Sequence, residues 1–378
     1  MRFRFVPILF VLFCIQLGLW LTLREIFALR RRGSLALAAL QAVLAAFFVA
    51  FMLESRNGLQ MPAMLRFTLI EPMLALVTLS TPLMLLLGLA LSAARRLPGG
   101  YSESRRAVMA GAAKAVIGGT FAAVAFGVEQ AELQPLLTRH EVPIRGLHQD
   151  LDGLTLVQLS DIHAGALMTE ERMLRIARAA NALNPDLVVL TGDLLDVSPL
   201  AARPFSRAFR ELKPRLGAFA VLGNHDYFAG FPAVERAVRD ANATLLRNSG
   251  VRIERGRGSL FLGGVDDPSH GSLGPHPARA LKAAAPEEPR IVLAHRPSLF
   301  EDCAAQGAQL VLSGHTHGGQ IALSPAWSLA RVLGPYTMGL YRRGDSTLYV
   351  HRGMGTVGPM PVRLGSPPEI ALIVLRAV

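Results

Sequence analysis

Cysteine is nearly absent: Cys14 lies in an apolar run and Cys303 follows Glu301-Asp302. A disulfide framework and a Cys-x-x-Cys metal site are therefore excluded. Charge is scarce too. Only 18% of the 378 residues are charged, against about 25% in an ordinary soluble protein. That composition argues against a disordered chain and against a purely cytosolic enzyme. Acidic residues are outnumbered 28 to 39 by basic ones, for a formal charge of +11. Such an excess suggests nucleic acid, but its distribution does not. Residues 1–128 contain no histidine and carry 13 Lys/Arg against 4 Asp/Glu, a net +9; residues 129–378 carry 26 against 24, a net +2, with all 10 histidines. A nuclease needs a cationic groove; the clustered Arg252, Arg255 and Arg257 fit a solvated turn, and no strong nucleic-acid signal remains.

The front half is a membrane region. Residues 5–23, 33–53 and 72–94 lack any charge, and 107–128 carry only Lys114. Each stretch can cross roughly 30 Å of hydrocarbon at roughly 1.5 Å per residue, and Lys114 can snorkel to a headgroup. Four spans return the chain to its starting side. Arg24, Arg30, Arg31 and Arg32 mark the first loop and Arg95, Arg96, Arg105 and Arg106 the third, which places both in the cytoplasm. The larger second part then lies outside, although Arg2 and Arg4 pull the other way. Residues 129–150 read as a connector, amphipathic or extended, and residues 151–378 as the second domain.

In that domain short apolar runs alternate with helical periodicity. Strand-like segments are expected at 154–160, 186–191, 219–222, 259–263, 291–294, 310–312, 347–351 and 369–375. Helices are expected at 168–183, 201–212 and 231–241. The expectation is a layered α/β fold around two sheets. Five polar clusters follow such strands: Asp161-Ile162-His163, Gly192-Asp193-Leu194-Leu195-Asp196, Gly223-Asn224-His225-Asp226, Ala294-His295-Arg296 and Gly314-His315-Thr316-His317. Loops beyond strand ends are where α/β folds assemble sites. In extended geometry Asp161 and His163 project together, as do His315 and His317. Carboxylate, imidazole and amide oxygen form a mixed N/O donor set suited to Mn, Fe or Zn, which the residue types do not distinguish. Asp196 reads as a supporting or loop-capping residue, Arg296 as half of a structural salt bridge, and His351 as loop packing. Asp266-Asp267-Pro268 reads as a turn, His270 and His276 as rim residues, and His140 and His148 as surface or linker residues.

The series DIH, GDLLD, GNHD, AHR and GHTH resembles the calcineurin-like metallophosphoesterases over residues 142–378. HTHGGQI at 315–321, YTMGLYRRG at 336–344, YVHRGMG at 349–355 and PVRLGSPPEI at 361–370 resemble the bacterial membrane-associated branch that includes YkuE and YaeI. The resemblance implies a two-sheet β-sandwich flanked by helices, here preceded by an all-α transmembrane region, with a dinuclear metal centre on one edge. It implies that Asp161, His163 and His317 bind one metal, that Asn224, His295 and His315 bind the second, and that Asp193 bridges them. His225 would serve the leaving-group oxygen and Asp226 would orient His225.

The chemistry fits a phosphate ester independently. Two cations neutralise its nonbridging oxygens and activate a shared water for in-line attack as hydroxide; a histidine stabilises the leaving alkoxide. The expected function is a membrane-anchored, metal-dependent phosphohydrolase of a bacterial cytoplasmic membrane, multi-pass, acting at the bilayer. Its substrate would be a phosphodiester, a lipid phosphate or another envelope or small-molecule phosphate. The alternatives are an enzyme resembling UDP-2,3-diacylglucosamine pyrophosphatases of lipid A synthesis, a nuclease, and a non-catalytic membrane receptor or transport protein. The last would require lost ligands, and none is lost.

Overall fold

The computed structural model describes residues 102–378, apart from 133, 166, 270, 325 and 358–361, and parts of 17–43 and 86–93. The expected spans at 5–23, 33–53 and 72–94 fall largely outside the described residues. The chain divides into two units at Val128.

The fourth expected span forms helix α1 (Glu103–Glu132). Within it, Ala107–Glu132 has a mean hydropathy of 1.6 and only 17% of its most apolar window is buried. Val108, Phe121 and Phe126 stand exposed, as does Lys114. An amphipathic helix would hide such residues on one face. By length and composition α1 can cross a membrane, which supports membrane association. In the same unit Leu23 and Ile26 bury against Ala113.

The second unit continues with β1 (Leu136–Ile144), β2 (Thr155–Leu159), α2 (Glu170–Ala182), β3 (Leu187–Thr191), α3 (Ala202–Phe209), β4 (Ala218–Val221), α4 (Asn224–Ala229), α5 (Phe231–Asp240), β5 (Ala243–Leu245), β6 (Ser249–Arg255) and β7 (Gly258–Val265). Then come α6 (Pro277–Ala280), β8 (Arg290–Ala294), α7 (Phe300–Ala305), β9 (Leu310–Ser313), β10 (Gly339–Arg343), β11 (Ser346–Val350) and β12 (Glu369–Ala377). The strands form two six-stranded mixed sheets, ordered β1-β12-β2-β3-β4-β5 and β10-β11-β9-β8-β7-β6.

Alternation along each strand builds the layers. Leu156, Leu187 and Val189 point between the sheets, where they meet Leu262, Leu293 and Leu312. Their neighbours Val157, Val188 and Leu190 face outward onto Met173, Phe205 and Val234 of the helices. On the other sheet Val292, Val311 and Leu348 pack on Phe300 and Cys303. Strands buried on both faces read as continuous apolar runs rather than alternating ones. Each such side chain contributes about 1.5–3 kcal/mol of burial. Helix α2 begins where the Thr169 hydroxyl accepts from the Arg172 N–H, with Glu170 and Glu171 favouring its N-terminal turn.

The connector reading of 129–150 needs correction. Residues 136–144 pair in parallel with β12 over their whole length, and Val142 and Ile144 enter the core. His140 is accordingly a strand residue whose ring centroid lies 4.7 Å from that of Tyr349, tilted by 46°. The mixed polarity of this stretch (Arg139, His140, Glu141) is that of an edge strand with one wet face. The sheet thus begins upstream of the expected boundary at 151.

Candidate metal centre

All five clusters sit at the C-terminal ends of parallel strands: β2, β3 and β4 of one sheet, β8 and β9 of the other. The site is therefore assembled along one edge of the sandwich, with both sheets contributing. Beyond the strands the first two loops continue side by side, since Asp161, His163 and Ala164 donate their N–H groups to the carbonyls of Gly192, Asp193 and Leu194 at 2.9–3.0 Å.

The local backbone is not extended, contrary to the sequence reading. Asp161, His163, Asp193, His315 and His317 all have φ between 49° and 70°. Non-glycine residues adopt this left-handed region uncommonly, and a cluster of them marks a functional constraint. The paired side chains still converge. Gly223 and Gly314 allow the close approach: a Cβ on Gly223 would lie 2.2 Å from Asp193 Oδ1, and one on Gly314 would lie 2.2 Å from Asp161 Oδ2.

Two ligand groups form around a shared carboxylate. Asp161, His163 and His317 offer atoms within 4.8 Å of one another, and so do Asp193, His295 and His315. Asp193 Oδ2 lies 3.6 Å from His163 Nε2 and 3.2 Å from His295 Nε2. Its Oδ1 accepts from the His225 N–H at 2.8 Å. The His295 Nδ1–H donates to the Thr191 carbonyl at 2.8 Å, which turns Nε2 toward the site and Asp193. His295 Nε2 and Asn224 Oδ1 are buried without a hydrogen-bond partner. Stranded buried polar atoms of this kind call for a missing partner, and N and O donors beside two carboxylates fit a divalent cation.

Electrostatics point the same way. Burial works against ionisation of Asp161 and Asp193, yet the adjacent histidines hold both carboxyls below their usual range. Burial, with nearby cationic groups, pushes His315 and His317 down to about 4, so their lone pairs are free. His295 is pushed up to about 10: burial opposes its charge, and the Asp193 carboxylate outweighs that. The carboxylates draw positive charge to this spot, which a metal ion would supply directly.

The structure reverses one expectation. Asp226 does not touch His225 through its carboxylate. Its oxygens accept from the N–H groups of Leu194, Leu195 and Gly223 at 2.9–3.0 Å, tying two ligand loops together. Burial, and then Asp193, push its carboxyl up to about 7. Asp196 is the partner of His225, with Oδ1 at 3.0 Å from Nδ1; the same oxygen lies 3.4 Å from His163 Nδ1. Burial disfavours a charged His225, but the Asp196 contact raises its pKa on balance.

Arg296 pairs with Asp267 at 2.8 Å, as expected of a structural residue. His351 is buried and accepts from the Gly353 N–H, which is loop packing. Sequence reasoning missed Arg363. Its guanidinium is wholly buried, donates to the carbonyls of Arg352, Ser366 and Gly355, and lies 3.3 Å from His317 Nδ1. The only sequence signal was an arginine in the motif PVRLGSPPEI. His148 caps a short turn. Asp266 accepts from Arg247 and Tyr227, and His270 lies outside the described residues.

Residues 154–319 match the family described as calcineurin-like phosphoesterase. The chain is 36% identical over 266 residues to a transmembrane protein with metallophosphoesterase domain from Danio rerio, covering 66% of this chain and 60% of that protein. It is 32% identical over 228 residues to an uncharacterized metallophosphoesterase of Aquifex aeolicus, covering 59% of this chain and 85% of the relative. Against the uncharacterized metallophosphoesterase YkuE of Bacillus subtilis it is 29% identical over 252 residues, covering 64% and 85%. The aligned part spans about 60% of the length of the Danio rerio and Bos taurus relatives. The chain belongs to the calcineurin-like phosphoesterases.

Proposed function

We propose that this protein is a multi-pass, membrane-anchored phosphohydrolase that cleaves a phosphodiester or lipid phosphate of the cell envelope. The observation that carries the reading is the sharing of Asp193 Oδ2 between two histidines of opposite ligand groups. In this reading Asp161, His163 and His317 hold one metal ion and Asn224, His295 and His315 a second, with Asp193 between them. The bound ions would supply charge neutralisation on the phosphate and an activated water.

The chain's own residues do the rest. Asn224, His225 and His315 are part-exposed, whereas Asp161, Asp193, His163, His295 and His317 are buried, so a substrate enters on the Asn224–His225–His315 side. His225 meets the leaving oxygen there, and Asp196 holds its ring and favours its protonated form. A proton on His225 can then pass to the departing alkoxide. Asp226 keeps the Asp193 and Asn224 loops in register and handles no proton. The arginine-rich short loops support a catalytic domain outside the cytoplasmic membrane.

The test is hydrolysis by the purified full-length protein, supplied in turn with Mn, Fe and Zn. Phospholipids, envelope phosphodiesters, nucleotides and UDP-2,3-diacylglucosamine are compared. Turnover of a lipid-linked phosphoester supports the reading. Preference for UDP-2,3-diacylglucosamine assigns the pyrophosphatase alternative, and preference for nucleic acid assigns a nuclease. Protease accessibility in sealed membranes tests the orientation.

A further inference from the structure

The segment that follows His317 combines a fixed backbone with unusually bare side chains. Leu323 is 93% exposed, Val332 84%, Trp327 77% and Leu329 54%. Such exposure in a floppy loop would mean little, but this segment is tied down. The Leu323 N–H donates to the Trp327 carbonyl at 2.9 Å, and the Leu329 N–H to the Ile321 carbonyl at 3.1 Å. The buried Ser328 hydroxyl donates to the Gly318 carbonyl at 2.8 Å, one residue from His317. Residues 329–333 then close a short helical turn. The fold spends hydrogen bonds to hold large apolar side chains in water, which marks an interaction surface.

The same edge of the sandwich is apolar elsewhere. Phe228 is 63% exposed, and its ring lies 5.3 Å from that of His225. Charge narrows the choice of partner. From Ile321 to Tyr341 there is no acidic residue and a single basic one, Arg331, with Arg342 and Arg343 next in sequence. Apolar tips, a tryptophan with an apolar body and polar edge, and an exposed Arg331 in a stretch of sequence free of acidic residues make up the chemistry of the membrane–water interface. The chain also carries α1, whose Ala107–Glu132 segment is by length and composition able to cross a bilayer.

We propose that the side chains of Leu323, Trp327, Leu329 and Val332 dip into the interfacial layer of the bilayer, so that the metal centre works on phosphoesters presented by lipids. This inference rests on the phosphohydrolase reading for its catalytic half only.

Trp20 and Trp327 are the two tryptophans of the chain, so full-length Trp20→Phe reports on Trp327 alone. The variant is reconstituted in phosphatidylcholine vesicles whose acyl chains are brominated at different depths. The expected result is quenching that is strongest for bromines nearest the headgroup, with protection from aqueous acrylamide. Full acrylamide access overturns the proposal. Protection from acrylamide without bromine quenching also overturns it, because a protein or a second copy then covers the loop.

The second measurement uses Leu323→Ser/Trp327→Ser/Val332→Ser. Hydrolysis of bis(p-nitrophenyl) phosphate should be unchanged, while hydrolysis of a diacyl-anchored phosphodiester in the same vesicles falls by about tenfold or more. Equal effects on the two substrates, or none, overturn the catalytic half. If the unmutated protein cleaves neither substrate, the phosphohydrolase reading fails, and tryptophan quenching still decides the surface.

Discussion

The two halves of the candidate metal centre are built differently. The half formed by Asp161, His163 and His317 is buried throughout, and its histidines contact each other at 3.1 Å. The half formed by Asn224, His295 and His315 has one buried member and two that reach solvent. Burial lends the first half rigidity and strong electrostatics, because a low-dielectric surround magnifies every charge. Partial exposure leaves the second half accessible to substrate. In the proposed reading, the first half would hold and polarise and the second would receive the substrate. Asp193 lies 3.6 Å from His163 of the first half and 3.2 Å from His295 of the second, and His225 is part-exposed.

The largest expected effect removes the shared element. Asp193→Asn should lose both metals, measured by elemental analysis, and nearly all turnover. Two bound metals with full activity would sink the bridging role. Next, Asn224→Ala should release the metal of the open half and keep the other, whereas Asp161→Asn should do the reverse. Loss of both metals, or of neither, in either variant would erase the distinction between the halves.

His225→Ala should keep both metals and lose about 10²–10⁴-fold in rate, more for esters with poor leaving groups. A rate independent of the leaving group would remove its proton-donor role. The smallest effects separate the two flanking carboxylates. Asp196→Asn should cost about 10–100-fold in rate and flatten the pH profile at unchanged Tm. Asp226→Ala should instead lower Tm, since each stranded backbone donor costs about 1–3 kcal/mol. If Asp226→Ala altered the pH profile while Asp196→Asn did not, the assignment of the His225 partner would be reversed.

Much of this was legible from local sequence. The strands expected at 186–191, 291–294 and 310–312 lie within a residue or so of those observed, because short apolar runs ending in glycine, aspartate or histidine carry their own punctuation. Asp161, His163, Asp193, His295, His315 and His317 come together for the same reason: each sits one to four residues past a strand. Residues 136–144 were not legible, since an edge strand with Arg139, His140 and Glu141 lacks an apolar signature. The exchanged roles of Asp196 and Asp226 were not legible either. Both aspartates lie near His225 in the motif set, and adjacency in sequence favoured the wrong one. Arg363 was hidden because its burial depends on carbonyls from three positions in the chain.

The sequence alone thus determined the apolar basic front, the alternation of strands and helices, and the donor types of the metal centre, all of which depend on local hydropathy and residue chemistry. The tertiary structure decided how those donors divide into a buried and an open half. It also decided which aspartate grips His225, and that apolar side chains beside His317 stand in water. Those features depend on the register between two sheets and on which surfaces remain uncovered once the chain has packed, and no local pattern encodes either.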